Sequence, residues 1–243
     1  MTDEPVSSGP RLFVDEALAE AMPLALPAAQ SHYLAGVMRL KAGDMLRLFD
    51  DRSGEWAACV TDVGRKSVRV TIERHLAPRE TVPDLWLCAA PIKRGRIDWV
   101  AEKACELGVA RLLPVLTRRT VVDKLNLERL RAHMIEAAEQ CGRTALPELD
   151  RPIALTKLLD DWPDDRQLVF CDEEGGVPIS DALKPGPAAI LIGPEGGFDP
   201  AERQRIREMP QAVGVSLGPR VLRADTAAVA AVSLWQAVAG DWR

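Results

Sequence analysis

Histidine is scarce in this chain and its cysteines are scattered, and each fact closes off a class of chemistry. The 243 residues include three histidines (His32, His75, His133) and five cysteines (Cys59, Cys88, Cys105, Cys141, Cys171), with no C-x-x-C pair. Isolated imidazoles and scattered thiols offer no zinc-ligand spacing, so no metal is expected. An odd number of dispersed thiols fits reduced cysteines in a cytoplasm rather than a disulfide framework. Residues 1–10 are polar and carry no secretory signal. The most apolar stretch, residues 226–240, is interrupted by Ser233 and Gln236 and is too short to span a bilayer. A soluble cytoplasmic protein without a membrane partner is therefore expected. G-x-x-x-x-G-K-[ST] and G-x-G-x-x-G are both missing, which removes the P-loop and dinucleotide fingerprints.

One familiar motif is present and fails. Gly214-Val215-Ser216-Leu217-Gly218 satisfies G-x-S-x-G, the nucleophile elbow of α/β-hydrolases. That fold needs a histidine after the serine, and all three histidines lie upstream. Pro219 would also disturb the helix that should begin there. Serine hydrolysis is set aside.

Hydrophobic residues make up 47% of the chain, enough for a real core in one large or two modest domains. The formal net charge is −5. An acidic balance counts against binding RNA with the whole surface, because phosphate contacts need Lys and Arg. A local basic face remains compatible with it.

The chain is organised around two glycine loops near its end. The first reads Ile192-Gly193-Pro194-Glu195-Gly196-Gly197-Phe198 and follows the apolar run 189–192. The second reads Leu217-Gly218-Pro219-Arg220-Val221-Leu222-Arg223-Ala224-Asp225-Thr226 and follows residues 213–216. In both, a short buried strand is stopped by Gly-Pro, and a helix signal comes next: Pro200-Ala201-Glu202 after one loop, Asp225-Thr226-Ala227 after the other. Glycine lets a backbone turn with positive φ and lets a ligand approach the main chain. Loops at the carboxyl ends of neighbouring parallel strands are where α/β sheets hold ligands.

Upstream, residues 45–49, 56–60 and 67–72 read as a short meander, a compact β-barrel with Arg65, Lys66, Arg69 and Arg74 at its far end. Residues 77–84, with Pro78 and Pro83, form the linker. Strand and helix then alternate: strands at 85–90, 109–116, 168–170 and 189–192, and helices at 95–107, stopped by Gly108, and 127–140. Alternating β and α predicts an α/β domain with a parallel sheet. Domains at 1–77 and 84–243 follow. Arg118 and Arg119 come just after a strand, where a loop could reach a phosphate.

IGPEGGF followed by LGPRVLRADTA resembles the signature pair of the SPOUT-class methyltransferases that modify uracil N3 of a uridine in small-subunit (16S) ribosomal RNA, the RsmE type. Residues 32–44 are similar to the opening of that family's PUA-like RNA-binding domain. Lys93 with 102–109, and Glu139-Gln140-Cys141-Gly142-Arg143, match its middle region. The resemblance covers nearly the whole chain. It implies a C-terminal SPOUT domain with a trefoil knot, a PUA-like β-barrel before it, S-adenosylmethionine as cofactor, and a homodimer acting on the small ribosomal subunit. By that match Leu191, Gly193, Glu195, Gly196, Gly197, Leu217, Gly218, Leu222 and Thr226 form the cofactor cradle. Arg65, Lys66, Arg69, Arg119 and Arg143 are the expected RNA contacts.

Uracil N3 carries a proton, so its attack on a methyl donor needs a proton acceptor and a cation beside the developing anion. Arg223 is assigned the anion-stabilising role, and Asp225 or Glu195 the polar partner. The family pattern often has Glu where Asp225 stands, and Asp225 reads equally as the N-cap of the last helix. Two alternatives stay open: a SPOUT enzyme acting elsewhere on RNA, such as a ribose hydroxyl, and a non-catalytic RNA-binding module.

Overall fold

Five strands surround an aliphatic core in the first part of the protein: β1 (Arg11–Phe13), β2 (Pro23–Ala25), β3 (Met45–Asp50), β4 (Gly54–Val63) and β5 (Val68–Ala77). The computed structural model describes residues 9–64, 67–93, 95–122 and 124–242. Two units emerge: one runs through Thr81 and takes in Ala138–Ala145, and the other holds Val82–Ala137 and Leu146–Arg243.

In the first unit the strand order is β1-β3-β4-β5-β2, parallel only between β1 and β3. Alternation sets the faces: Val68, Val70 and Ile72 are buried, while Arg69 between them is exposed. The predicted meander is β3, β4 and β5, the latter two longer than their apolar cores suggested. Helix α1 (Ala28–His32) runs into a π-helical turn, Tyr33–Val37, pinned by the fully buried Leu34.

Residues 138–145 join this unit through Arg11, whose side chain is almost fully buried. Its guanidinium pairs with Glu55 (2.5 Å) and donates to the carbonyls of Ala138 (2.6 Å) and Arg143 (2.7 Å). A buried charge is tolerated only when its donors are met in this way.

The second unit is an α/β layer. Its strands are β6 (Leu85–Ala89), β7 (Arg111–Leu116), β8 (Glu148–Leu149), β9 (Ile153–Ala154), β10 (Gln167–Cys171), β11 (Val177–Pro178), β12 (Ala188–Ile192) and β13 (Ala212–Ser216). They run parallel in the order β11-β13-β10-β12-β6-β7-β8, with β9 also on β7. β12 is buried along its whole length, as continuous apolar strands in parallel sheets are. Between the strands lie α2 (Arg96–Glu106), α3 (Leu127–Cys141), α4 (Leu155–Asp160), α5 (Ile179–Ala182), α6 (Pro200–Arg207) and, at the end, α7 (Ala224–Val238).

Two helix ends show why the chain turns where it does. Asp199 caps α6 by accepting from Ala201 N, and Glu202 returns the bond to Asp199 N, with Pro200 at the first helical position. Gly108 follows α2 at φ +75, and a Cβ there would stand 2.8 Å from Gln236 Nε2. Gln236 is fully buried and donates to Leu107 O at 2.7 Å, which ties α7 to the end of α2.

Candidate active site

A cavity of ≈ 620 Å³ opens at the carboxyl ends of β10, β12 and β13. Its wall is built from Arg96 at the start of α2, residues 171–175 after β10, residues 192–195 and Gly197 after β12, and residues 215–224 with Ala227. The volume falls within the range of about 300–1,000 Å³ common for small-molecule sites. The strands that lead into the two glycine loops are not neighbours, because β10 runs between them. The loop after β10, Asp172-Glu173-Glu174-Gly175, is thereby brought into the site.

Each glycine has a distinct reason. A Cβ on Gly193 would come within 2.6 Å of the Phe198 ring, a fully buried side chain stacked edge-on against Phe170. Gly197 sits at φ +67, and a Cβ there would come within 2.1 Å of Glu173 Oε1. Gly218 sits at φ +109 with open space around its Cβ direction. Only glycine adopts these positive angles without strain.

The acidic loop is clamped by α6. Arg203 pairs with Asp172 (3.1 Å), Glu174 (2.5 Å) and Glu173, and Arg207 reaches Asp172 (2.5 Å). The Asp172 side chain is wholly buried, so these guanidiniums compensate its charge. Beside it, burial pushes the Cys171 thiol up to about 12.

Arginines also hold the first glycine loop. Arg119 Nη1 donates to Gly196 O at 2.8 Å, and Arg118 pairs with Asp199 at 3.1 Å. Arg96 Nη1 lies 2.9 Å from Glu195 Oε1, and its Nε lies 3.8 Å from Asp225 Oδ2.

Of the residues expected from sequence, Gly193, Glu195, Gly197, Leu217, Gly218, Leu222 and Arg223 line the cavity. Leu191, Gly196, Asp225 and Thr226 do not. Leu191 is fully buried in the core that includes Phe170 and Phe198, and Ile192 faces the cavity instead. Gly196 meets nothing closer than Arg119 Cβ at 3.7 Å, so neither space nor backbone angle demands glycine there. Asp225 is not the N-cap of α7, a position held by Arg223. It lies in the first turn, where a carboxylate favours the helix dipole.

Among the expected RNA contacts, Arg119 and Arg69 are exposed. Arg65 and Lys66 lie outside the described residues. Arg143 requires correction: it is 5% exposed, its Nε donates to Ala145 O, and Glu80 stands 3.5 Å away. Its guanidinium serves the interior of the first unit. The residues missed from sequence are Arg96 and the acids at 172–174. A basic residue directly after the helix-starting Gly95 was the available signal for Arg96.

Among the described residues no helix is long and apolar enough to cross a membrane, and no cluster of His, Cys, Asp and Glu could hold a metal ion.

A model described as an RNA methyltransferase domain matches residues 79–236, and an RNA methyltransferase PUA domain matches 26–73. Ribosomal RNA small subunit methyltransferase E from Rickettsia conorii is 31% identical over 92% of this chain and 93% of its own. The Bacillus subtilis protein of that name is 28% identical over 92% and 94%. A Neisseria gonorrhoeae ribosomal RNA small subunit methyltransferase E, crystallised bound to S-adenosyl methionine, superposes with a TM-score of 0.87 at 27% identity, covering 97% of this chain and 100% of that one. A Legionella pneumophila protein crystallised with the cofactor SAM superposes at 0.85, with 31% identity over 96% and 99%. This chain belongs to the ribosomal RNA small subunit methyltransferase E family of RNA methyltransferases.

Proposed function

We propose that this chain is an S-adenosylmethionine-dependent methyltransferase of 16S ribosomal RNA, and that it modifies uracil N3 of one uridine on the assembled small subunit. The observation that carries the reading is the cavity at the carboxyl ends of three parallel strands, walled by both glycine loops, with Gly218 leaving open space beside its main chain. The lining fits the cofactor: Ile192, Val215, Leu217 and Leu222 suit a flat heterocycle, while Glu173 and Glu195 suit its charged and hydroxyl groups. The knotted path belongs to the same proposal and rests on the likeness to the methyltransferase E family.

When bound, S-adenosylmethionine supplies an electrophilic methyl group on sulfonium. The residues of this chain supply position, a proton acceptor and charge. Glu195 or Asp225 accepts the N3 proton, and Arg223 faces the negative charge that spreads to the uracil oxygens. The glycine loops orient the donor for in-line displacement. Arg119, Arg220 and Arg223 are exposed or cavity-lining cations at this end of the second unit, available to a phosphate, while Arg96 and Arg118 are paired with Glu195 and Asp199. In the first unit Arg69, with Arg65 and Lys66 beside it in sequence, adds phosphate affinity. The enzyme works in the cytoplasm as a homodimer.

The test is incubation with under-methylated small subunits and labelled donor, followed by nucleoside analysis. Labelled 3-methyluridine is expected. A 2′-O-methyl nucleoside would move the chemistry to the ribose, and absence of both label and donor binding would leave an RNA-binding module.

A further inference from the structure

We infer that Arg96 is the positioning residue for this chemistry, fixing both candidate proton acceptors: Glu195, which lines the cavity, and Asp225, just outside its lining. The inference rests on the methyltransferase reading above. The two carboxylates come from different segments, one in the loop after β12 and one in the first turn of α7. A single guanidinium reaches both, 2.9 Å to Glu195 and 3.8 Å to Asp225, and itself lines the cavity. The fork geometry of arginine suits this task, since it offers several donors in one rigid plane.

The base from which Arg96 projects is anchored. Gly95 turns at φ +87 and donates its N–H to Asp98 at 3.1 Å. Asp98 is 8% exposed and is held by Arg129 at 3.0 Å. Ile97, Val100 and Ala101 bury the adjoining face of α2. Glu195, by contrast, has an exposed side chain on a loop, and an exposed carboxylate samples several rotamers unless tethered. Tethering matters because a proton acceptor displaced by about 1 Å costs up to about a hundredfold in rate.

The test uses the full-length protein with small subunits as substrate. Arg96→Gln is expected to lower kcat at least about tenfold, leaving KM for the subunit and the calorimetric Kd for S-adenosylmethionine within about threefold. Arg96→Lys should recover part of the rate, since it keeps the charge and loses the fork. Glu195→Gln and Asp225→Asn should be non-additive in the wild-type background and additive when Arg96 is glutamine. Should Arg96→Gln not fold, the wild-type cycle alone decides, and additivity there overturns the inference. Unchanged kcat in Arg96→Gln also overturns it. So does loss of donor binding, which would make Arg96 a cofactor ligand. The nucleoside formed by the wild type tests the uracil-N3 reading separately: a different nucleoside sinks that reading and leaves the cycle interpretable.

Discussion

Glu173 stands against Gly197: its Oε1 occupies the space a Cβ on Gly197 would enter, 2.1 Å away. A side chain at Gly197 would have to push aside the Glu173 carboxylate, the far end of an exposed side chain that Arg203 holds in place. Gly197 also turns at φ +67, where a side chain costs roughly 1–2 kcal/mol. Gly197→Ala should weaken S-adenosylmethionine binding by about tenfold or more, read by calorimetry. Gly196→Ala, one residue away, has space and an ordinary angle and should leave the affinity within about twofold. Equal losses at both positions would mean that the loop responds to any substitution.

Gly218 tests the second loop differently. Its φ of +109 disfavours any side chain, while its Cβ direction is open and the residue lines the cavity. Gly218→Val should abolish donor binding without lowering the melting temperature by more than a few degrees, because no packed atom is displaced. A folded variant that binds donor normally would remove this loop from the cofactor site.

Asp50 offers a pH test confined to the first unit. Burial raises its pKa, but hydrogen bonds from the N–H groups of Leu18, Ser53 and Arg52 and from the Ser53 hydroxyl outweigh that, so the value is lowered overall. A lowered folded-state pKa contributes stability above the unfolded value, which is lost as pH falls through the folded one. Asp50→Asn should destabilise the protein by about 1–3 kcal/mol at neutral pH. The gap in melting temperature from wild type should narrow below about pH 4. A gap that stays constant down to strong acid would show that geometry, not charge, is what the loop requires.

The basic cluster of the first unit is checked by salt. Arg65, Lys66 and Arg69 changed together to Ala should lower the slope of log K against log salt by up to about 3 for substrate binding, roughly one per lost phosphate contact. An unchanged slope would leave these residues as a solvated face.

The strands and helices were legible because each carries its own period. β5 alternates Val68, Arg69, Val70, and α2 repeats Ile97, Val100, Ala101, Ala104, so local physics announces them. The glycine loops were legible for the same reason: Gly-Pro after an apolar run is a local signal. Arg96 with Glu195, and Arg203 with Asp172, were not, since pairing across the fold leaves no mark on either neighbourhood. Arg143 failed from the opposite side. Its motif placed it at a helix end, but nothing local distinguishes a guanidinium that reaches solvent from one that turns inward to Ala145 O and Glu80.

The last helix carries the remaining prediction. Its sequence is apolar almost all round, which predicts cover on every side. In the protein Ala227, Ala228, Ala231, Val232, Trp235 and Gln236 are buried, while Leu234 is 39% and Val238 38% exposed on another face. Trp242, just beyond, is 52% exposed. Small residues at Ala230 and Ala237 would let a second copy of the helix approach closely. Sedimentation at low micromolar concentration should then give a mass near twice 26.6 kDa. Leu234→Arg with Val238→Arg would bury two cations in that interface and should shift the protein to monomer. If the active site takes residues from both subunits, mixing an inactive Gly218→Val variant with an inactive Arg119→Ala variant should restore part of the activity. A wild-type monomer that methylates at full rate would overturn both the interface and the shared site.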